Sequence, residues 1–163
     1  MKLLHLFLAV IFTCTSGLLA EDKLLEGEFL GKITLGQKAD QLIALLGKPE
    51  GKDKDTLWEA TGEWVQEWRF DAQGLRLNMA SEDKGGAKKV SSITATRPSK
   101  LTTARGIQIG SSEAEVRKAY QNVEDKEQSI AGETFVAGSI YGGVIFTFKE
   151  GRVVSIFIGA AAE

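Results

Sequence analysis

Two stretches of this chain run from a short apolar segment through a glycine into an amphipathic helical pattern. They are "LGKITLGQKADQLIALL" at residues 30–46 and "ARGIQIGSSEAEVRKAY" at residues 104–120. Aligned on their glycines, Ile33, Leu35 and Gly36 fall on Ile107, Ile109 and Gly110, while Leu42 and Leu46 fall on Val116 and Tyr120. In each, the apolar residues beyond the glycine share one helix face: Ala39, Leu42, Ile43 and Leu46 in the first, Val116, Ala119 and Tyr120 in the second. Ser111 or Ser112 can cap the second helix, with Glu113 and Glu115 in its electropositive first turn. Gly47 and Pro49 end the first helix.

The segments after the two helices are also alike. "EWVQEWRF" (63–70), "LRLNM" (75–79) and "VSSITAT" (90–96) read as three strands, joined by "DAQG" and the polar loop "ASEDKGGAKK". "TFVAGSIY" (134–141), "VIFTF" (144–148) and "VVSIFIG" (153–159) read as three more, joined by Gly142-Gly143 and "KEGR". This order predicts an α+β fold of two tandem helix plus antiparallel β-meander units, 21–99 and 100–163, with the helices packed on one face of the sheet. The two units together would make one compact domain, with "RPSKLTTA" (97–104) as the connection.

The first 20 residues have the layout of a secretory signal peptide: Lys2, an apolar run from Leu3 to Phe12, then polar residues and Ala20 before Glu21. Cleavage after Ala20 is the expectation. The apolar run is about half of the roughly 20 residues a spanning helix needs, so no transmembrane span is expected in the mature chain. Cys14 opens a rival reading as a lipidation site, which would place the protein on the outer membrane. That reading is the weaker one, because Thr13 stands where a small Gly, Ala or Ser is usual.

Loss of residues 1–20 would leave 19 Lys+Arg against 22 Asp+Glu, a net charge of −3. A mildly acidic chain without a basic block has no electrostatic footprint for nucleic acid. The same cut would remove His5 and Cys14, the one histidine and the one cysteine. Ser-His-Asp and Cys-His mechanisms, disulfides and thiolate or imidazole metal ligands would then all be missing, and no cofactor is expected. Packing alone would have to hold the fold.

The residues resemble a known family. "ITLGQKADQLIALLGKP", then "EWRF", "LRLNM" and "VSSITA", are similar to the small outer-membrane assembly lipoproteins (SmpA/OmlA, BamE-like). Their unit runs glycine, helix, Gly-x-Pro and an antiparallel sheet that starts with a Trp-x-aromatic strand. Two such units in tandem resemble the beta-lactamase inhibitor protein fold. The resemblance covers nearly all of the chain beyond residue 20, although the second unit lacks the Gly-x-Pro and the Trp-x-aromatic pair. It implies a protein partner in the cell envelope or outside the cell.

Antiparallel pairing separates a core face from a free one. If Phe70 faces Leu75 across "DAQG", then Trp68 faces Leu77 and Gln66 faces Met79 on the core side. Arg69 with Arg76, and Glu67 with Asn78, then form a charged free side. In the second half, a turn at Gly142-Gly143 sets Tyr141 beside Val144, Ser139 beside Phe146 and Ala137 beside Phe148 on the core side. The free side then carries Ile140, Ile145 and Thr147, with Val153, Ser155 and Phe157 from the last strand. That side is unusually apolar. It is either covered by another part of the chain or a surface for a partner or a second copy.

Trp58 sits in the polar gap "GKDKDTLWEATG" and is the best exposed aromatic anchor, whereas Trp64 and Trp68 are expected to pack inward. Glu59, Glu63, Glu67 and Asp71 leave two-carboxylate catalysis formally open. No phosphate loop or calcium loop accompanies them. The sequence therefore points to an exported, periplasmic or secreted, non-catalytic protein-binding module of envelope-assembly or inhibitor type. A carboxylate-dependent hydrolase and a structural homodimer are the alternatives.

Overall fold

The computed structural model describes Leu25 and residues 27–161; the segment 1–20 expected to be a signal peptide, with Cys14 in it, lies outside the described residues. Among the described residues the chain forms α1 (Ala39–Leu46), β1 (Gly51–Lys52), β2 (Thr56–Trp58), β3 (Glu63–Phe70), β4 (Leu75–Ser81), β5 (Lys89–Ala95), α2 (Glu113–Tyr120), β6 (Thr134–Ser139), β7 (Gly142–Lys149) and β8 (Arg152–Gly159). The strands form an 8-stranded antiparallel sheet in the order β1-β3-β4-β5-β8-β7-β6, with β2 also paired to β3.

The expected α+β architecture of two helix-plus-meander units is therefore corrected. The protein is mostly one antiparallel sheet, and its two described α-helices are 8 residues each. Two features outweigh the unit pattern. The gap after α1, polar in composition, adds β1 and β2 to the sheet through Gly51↔Arg69 and Trp58↔Glu63. The later strands then fold back so that β8, not β6, meets β5, through Ile93↔Ile158, Thr94↔Phe157 and Ala95↔Ile156. One sheet runs through without a boundary.

The likeness between the two glycine-to-helix stretches survives locally, as a way of entering each helix. Gly36 and Gly110 have φ of 75° and 93°. Their N–H groups donate to the carbonyls of Val90 and Val153, both at 2.8 Å. Such left-handed backbone costs glycine nothing and turns the chain off the sheet into the helix. Ser112 caps α2 by accepting from the Glu115 N–H at 3.3 Å, while the Glu115 carboxylate accepts from the Ser112 N–H at 2.7 Å. Ser111 instead accepts from the Gln108 N–H. Lys38 stands at the same place before α1 and has no oxygen to offer, so only the return bond from its N–H to Gln41 Oε1 forms.

The core lies on the face that receives both helices. Leu42 of α1 and Val116 and Tyr120 of α2 join Trp68, Phe70, Leu77, Met79, Ile93, Ala137, Phe146, Ile156 and Ile158 in one buried cluster. Tyr120, Phe146 and Phe135 stack in a row with ring centroids 5.0 and 6.3 Å apart. At the end of α2 a polar knot closes this core. The buried Glu28 carboxylate accepts from the Ala104 N–H at 2.9 Å and pairs with the Tyr120 hydroxyl at 3.1 Å, which also meets the Thr103 hydroxyl at 2.9 Å. Burial raises the Glu28 pKa above the ordinary carboxylate value and pushes the Tyr120 phenol well above its own.

Candidate binding face

The register of β3 and β4 follows from the "DAQG" turn: Phe70↔Leu75, Trp68↔Leu77, Gln66↔Met79, and on the opposite side Arg69↔Arg76 and Glu67↔Asn78. Continued across the sheet, these pairs place Arg69, Arg76, Thr94, Phe157, Ile145 and Val136 in one row. The row crosses the sheet on the side away from Leu42, Val116 and Tyr120. Its β3–β4 end is charged, and each arginine has an acid: Arg69 pairs with Asp53, and Arg76 Nη1 lies 2.9 Å from Glu67 Oε1. Its β6–β8 end is apolar, with Ile145 and Phe157 half-buried and flanked by exposed Thr147 and half-buried Ser155.

Of the residues expected on this face, Ile145, Thr147, Ser155, Phe157, Glu67, Arg69 and Arg76 are brought together on it. Val153 is not: it is 1% exposed and belongs to the core. A β-bulge causes the change. Thr147 pairs with Ser155 and Phe148 with Val153, so Val154 is an extra residue that shifts the alternation. Trp58 lies at the far corner, 38% exposed, opposite Glu63 in the β2–β3 ladder. Trp68 is buried, with Lys52 Nζ 3.6 Å from its ring centre, and Trp64 is half-buried with Lys84 Nζ 5.0 Å away.

Tyr141 is also corrected. It is 67% exposed in a two-residue turn with Ile140, because β6 and β7 pair as Ser139↔Gly142 and Ala137↔Val144. The glycines expected to form the turn are strand residues. A Cβ on Gly143 would stand 2.3 Å from the Ala137 carbonyl oxygen, so glycine here permits close backbone approach. The face assignment of Val144, Phe146 and Phe148 is unchanged, since the slip is an even number of residues.

The sheet's edges are less available than its face. On the open side of β6, the Asp125 N–H donates to the Val136 carbonyl at 2.8 Å and Glu124 bridges to Ala137, so the chain's own loop covers that edge. At the other edge β1 has only 2 residues. Near β2, Lys88 is nearly buried, with Nζ 2.5 Å from Asp55 Oδ1 and 2.7 Å from the Trp64 carbonyl. The Lys88 hydrogen bond holds the Asp55 pKa below its ordinary value.

Glu63, Glu67 and Asp71 do not assemble into a pair suited to glycoside hydrolysis. Glu63 and Glu67 share a face of β3 but are four residues apart, roughly 13 Å at about 3.3 Å per residue, beyond the roughly 5–9.5 Å such pairs need. Glu67 is moreover ion-paired to Arg76, and Asp71 lies in the 3-10 turn past the end of β3. No helix among the described residues is long and apolar enough to cross a membrane. Compared with known proteins, the chain matches no family model, no curated protein and no solved structure.

Proposed function

We propose that this protein is a non-catalytic binding module that works outside the cytoplasm and grips a protein partner with the open face of its sheet. One observation carries the reading. Ile145 and Phe157 sit side by side in a row that runs from the ion-paired Arg69 and Arg76 to the buried Val136, with the hydroxyls of Thr94 in the row and of Thr147 and Ser155 beside it. An apolar centre with a polar, hydrogen-bonding rim is the anatomy of protein interfaces. The covered edge at β6 favours the face over strand addition as the mode of contact. Export rests on the pattern of residues 1–20. The two versions of the role, an envelope assembly factor and an inhibitor of a secreted enzyme, rest on the family resemblance.

The test is the paired change Ile145→Glu with Phe157→Glu, read by thermal unfolding and by affinity capture from an envelope extract of the source cell. The expected result is a folded variant that no longer retains a protein the wild type retains. A variant that cannot fold would mean the face is interior and would end the reading. If the wild type is instead a dimer by light scattering and the variant a monomer, the occupant is a second copy and the homodimer alternative takes over. Membrane fractionation with and without Cys14→Ser separates a lipid-anchored form from a free one.

A further inference from the structure

Where β5 ends and the β7–β8 hairpin turns, a groove of about 710 Å³ is lined by Thr96, Arg97, Lys149, Glu150, Arg152 and Val154. Lys149 and Arg152 are directly opposite one another in the β7–β8 ladder. Like charges set opposite across two strands destabilise the pairing. Within the named strands the chain meets the same problem at Arg69↔Arg76, and there it gives each arginine a carboxylate, Asp53 for Arg69 and Glu67 for Arg76; the isolated bridge Lys38↔Lys89 sets two lysines opposite one another without ion pairs among the described residues. Lys149, Arg152 and Arg97 make no ion pair among the described residues, and Glu150, the one acid of the groove, pairs with none of them; Arg152 is close enough to the Glu115 carboxylate to help lower its pKa, without a salt bridge.

The hairpin that holds these cations carries a second local cost. Its central residues Glu150 and Gly151 have φ of 53° and 69°, and Glu150 is the one non-glycine residue with positive φ among the described residues. Glutamate is less at ease than glycine in the left-handed region, and no hydrogen bond of its side chain is present among the described residues to compensate. The turn closes the β7–β8 hairpin and sets the side chains of Lys149 and Arg152 next to one another at its mouth. Arg152 commits one donor, Nη1, to the Gly110 carbonyl at 3.3 Å, which fixes the guanidinium and leaves its other N–H groups free.

From the groove, the three cations that line it without a salt-bridge partner and the tight turn that presents two of them, we infer that this is an anion-binding site for a phosphate or sulfate group, held by Arg97, Lys149 and Arg152. Two planar guanidinium groups suit a tetrahedral oxyanion, each offering two parallel donors, and Lys149 adds a point charge. The occupied site would cancel the repulsion between Lys149 and Arg152. The same group can arrive as a free ion or attached to a glycan chain, and the groove is open enough for either.

The experiment is a titration of the purified protein, followed by backbone amide shifts, with inorganic phosphate, inorganic sulfate, a sulfated oligosaccharide and its unsulfated counterpart. Saturable shifts confined to residues 96–97 and 149–154 are expected. Arg97→Gln with Lys149→Gln should weaken binding by about tenfold or more. Arg76→Gln should leave it unchanged, and Glu150→Gly should bind at least as well while unfolding at a higher temperature. Binding of the inorganic ions alone assigns a free ion, and much tighter binding of the sulfated oligosaccharide assigns the glycan. Shifts that do not saturate, shifts elsewhere, or equal binding by the Arg97/Lys149 variant would overturn the site. Glu150→Gly keeps all three cations, so weakened binding by a folded Glu150→Gly protein would equally count against it.

Discussion

The outward face of the sheet is built in two manners. Across β3 and β4 it carries ion pairs, Arg69 with Asp53 and Arg76 with Glu67, beside the buried pair Val65 and Ala80, and the arginines are left partly in water. Across β7 and β8 it is made of carbon, Ile145 beside Phe157. The core beneath is equally apolar under both halves, with Phe70, Leu77 and Met79 on one side and Phe146, Ile156 and Ile158 on the other. Folding needs the inner face apolar and makes no such demand on the outer one, so the difference between the halves is not dictated by stability. The apolar half is the one whose outer residues require another explanation.

Substitutions read by urea unfolding sharpen this comparison. Phe146→Ala empties the centre of the Tyr120–Phe146–Phe135 row on the inner face and should cost about 3–5 kcal/mol. Lys88→Met leaves the Asp55 carboxylate and the Trp64 carbonyl without their cation, where the two charged side chains are 8% and 14% exposed. It should cost about 3 kcal/mol.

Smaller is the effect of pH through Glu28. Its pKa is raised in the folded protein, chiefly by burial, so its charged form is the less favoured one. The stability it adds on protonation is fully present below its ordinary value of 4.5 and is lost as pH rises through the raised folded value. Asp55, Glu113 and Glu115 act in the opposite sense. Burial raises Glu113, but its bonds to Arg117 and the Gly132 N–H outweigh this; all three are lowered, and their contributions are lost as pH falls through their folded values. Glu28→Gln keeps an acceptor for the Ala104 N–H, so it should leave stability within about 1–2 kcal/mol of wild type at acid pH while flattening the fall that begins as pH rises above 4.5. An unchanged pH profile in this variant would place the titration elsewhere.

The outer face should show the smallest losses. Ile145→Ala, one residue from Phe146 but on the outer side, should cost about 1 kcal/mol. A loss as large as that at Phe146 would show that the outer side of β7 is as covered as the inner. Glu67→Gln breaks an ion pair whose side chains are 55% and 32% exposed and should cost below about 1 kcal/mol. A large loss at Glu67 would mean that the charged half of the face is structural.

Much of the sheet is legible in the sequence where strict alternation meets a well-formed turn. The β3–β4 hairpin is the clearest case: polar and hydrophobic residues alternate from Glu67 to Phe70 and again from Leu75 to Met79, and "DAQG" closes with Gly74 in the left-handed region at φ 66°. The misreadings have equally local causes. Gly142-Gly143 has the composition of a hairpin turn, yet those residues are needed where β6 and β7 approach closely, and composition cannot separate the two uses. "VVSIFIG" has apolar residues at adjacent positions, so nothing in it marks the bulge that buries Val153. β1 and β2 are only 2 and 3 residues long, and what makes them strands is the long β3 beside them. The partnership of β5 with β8 depends on residues far apart in the chain, and no short window carries it. "KEGR" reads as a turn and nothing more until the ladder shows that its flanking cations, Lys149 and Arg152, stand opposite one another.

The β5–β8 seam also orders events in time. The other long pairings join strands close in sequence, such as Phe70↔Leu75 and Lys149↔Arg152, so their hairpins close small loops. The seam must bring Ile93 to Ile158 and gains only three residue pairs, after the intervening chain has been confined. Nucleation within either hairpin set would therefore precede it, and mutations at Ile93 or Ile158 would speed unfolding more than they slow folding. The middle of the sheet, which looks like its oldest part in space, is its youngest in time.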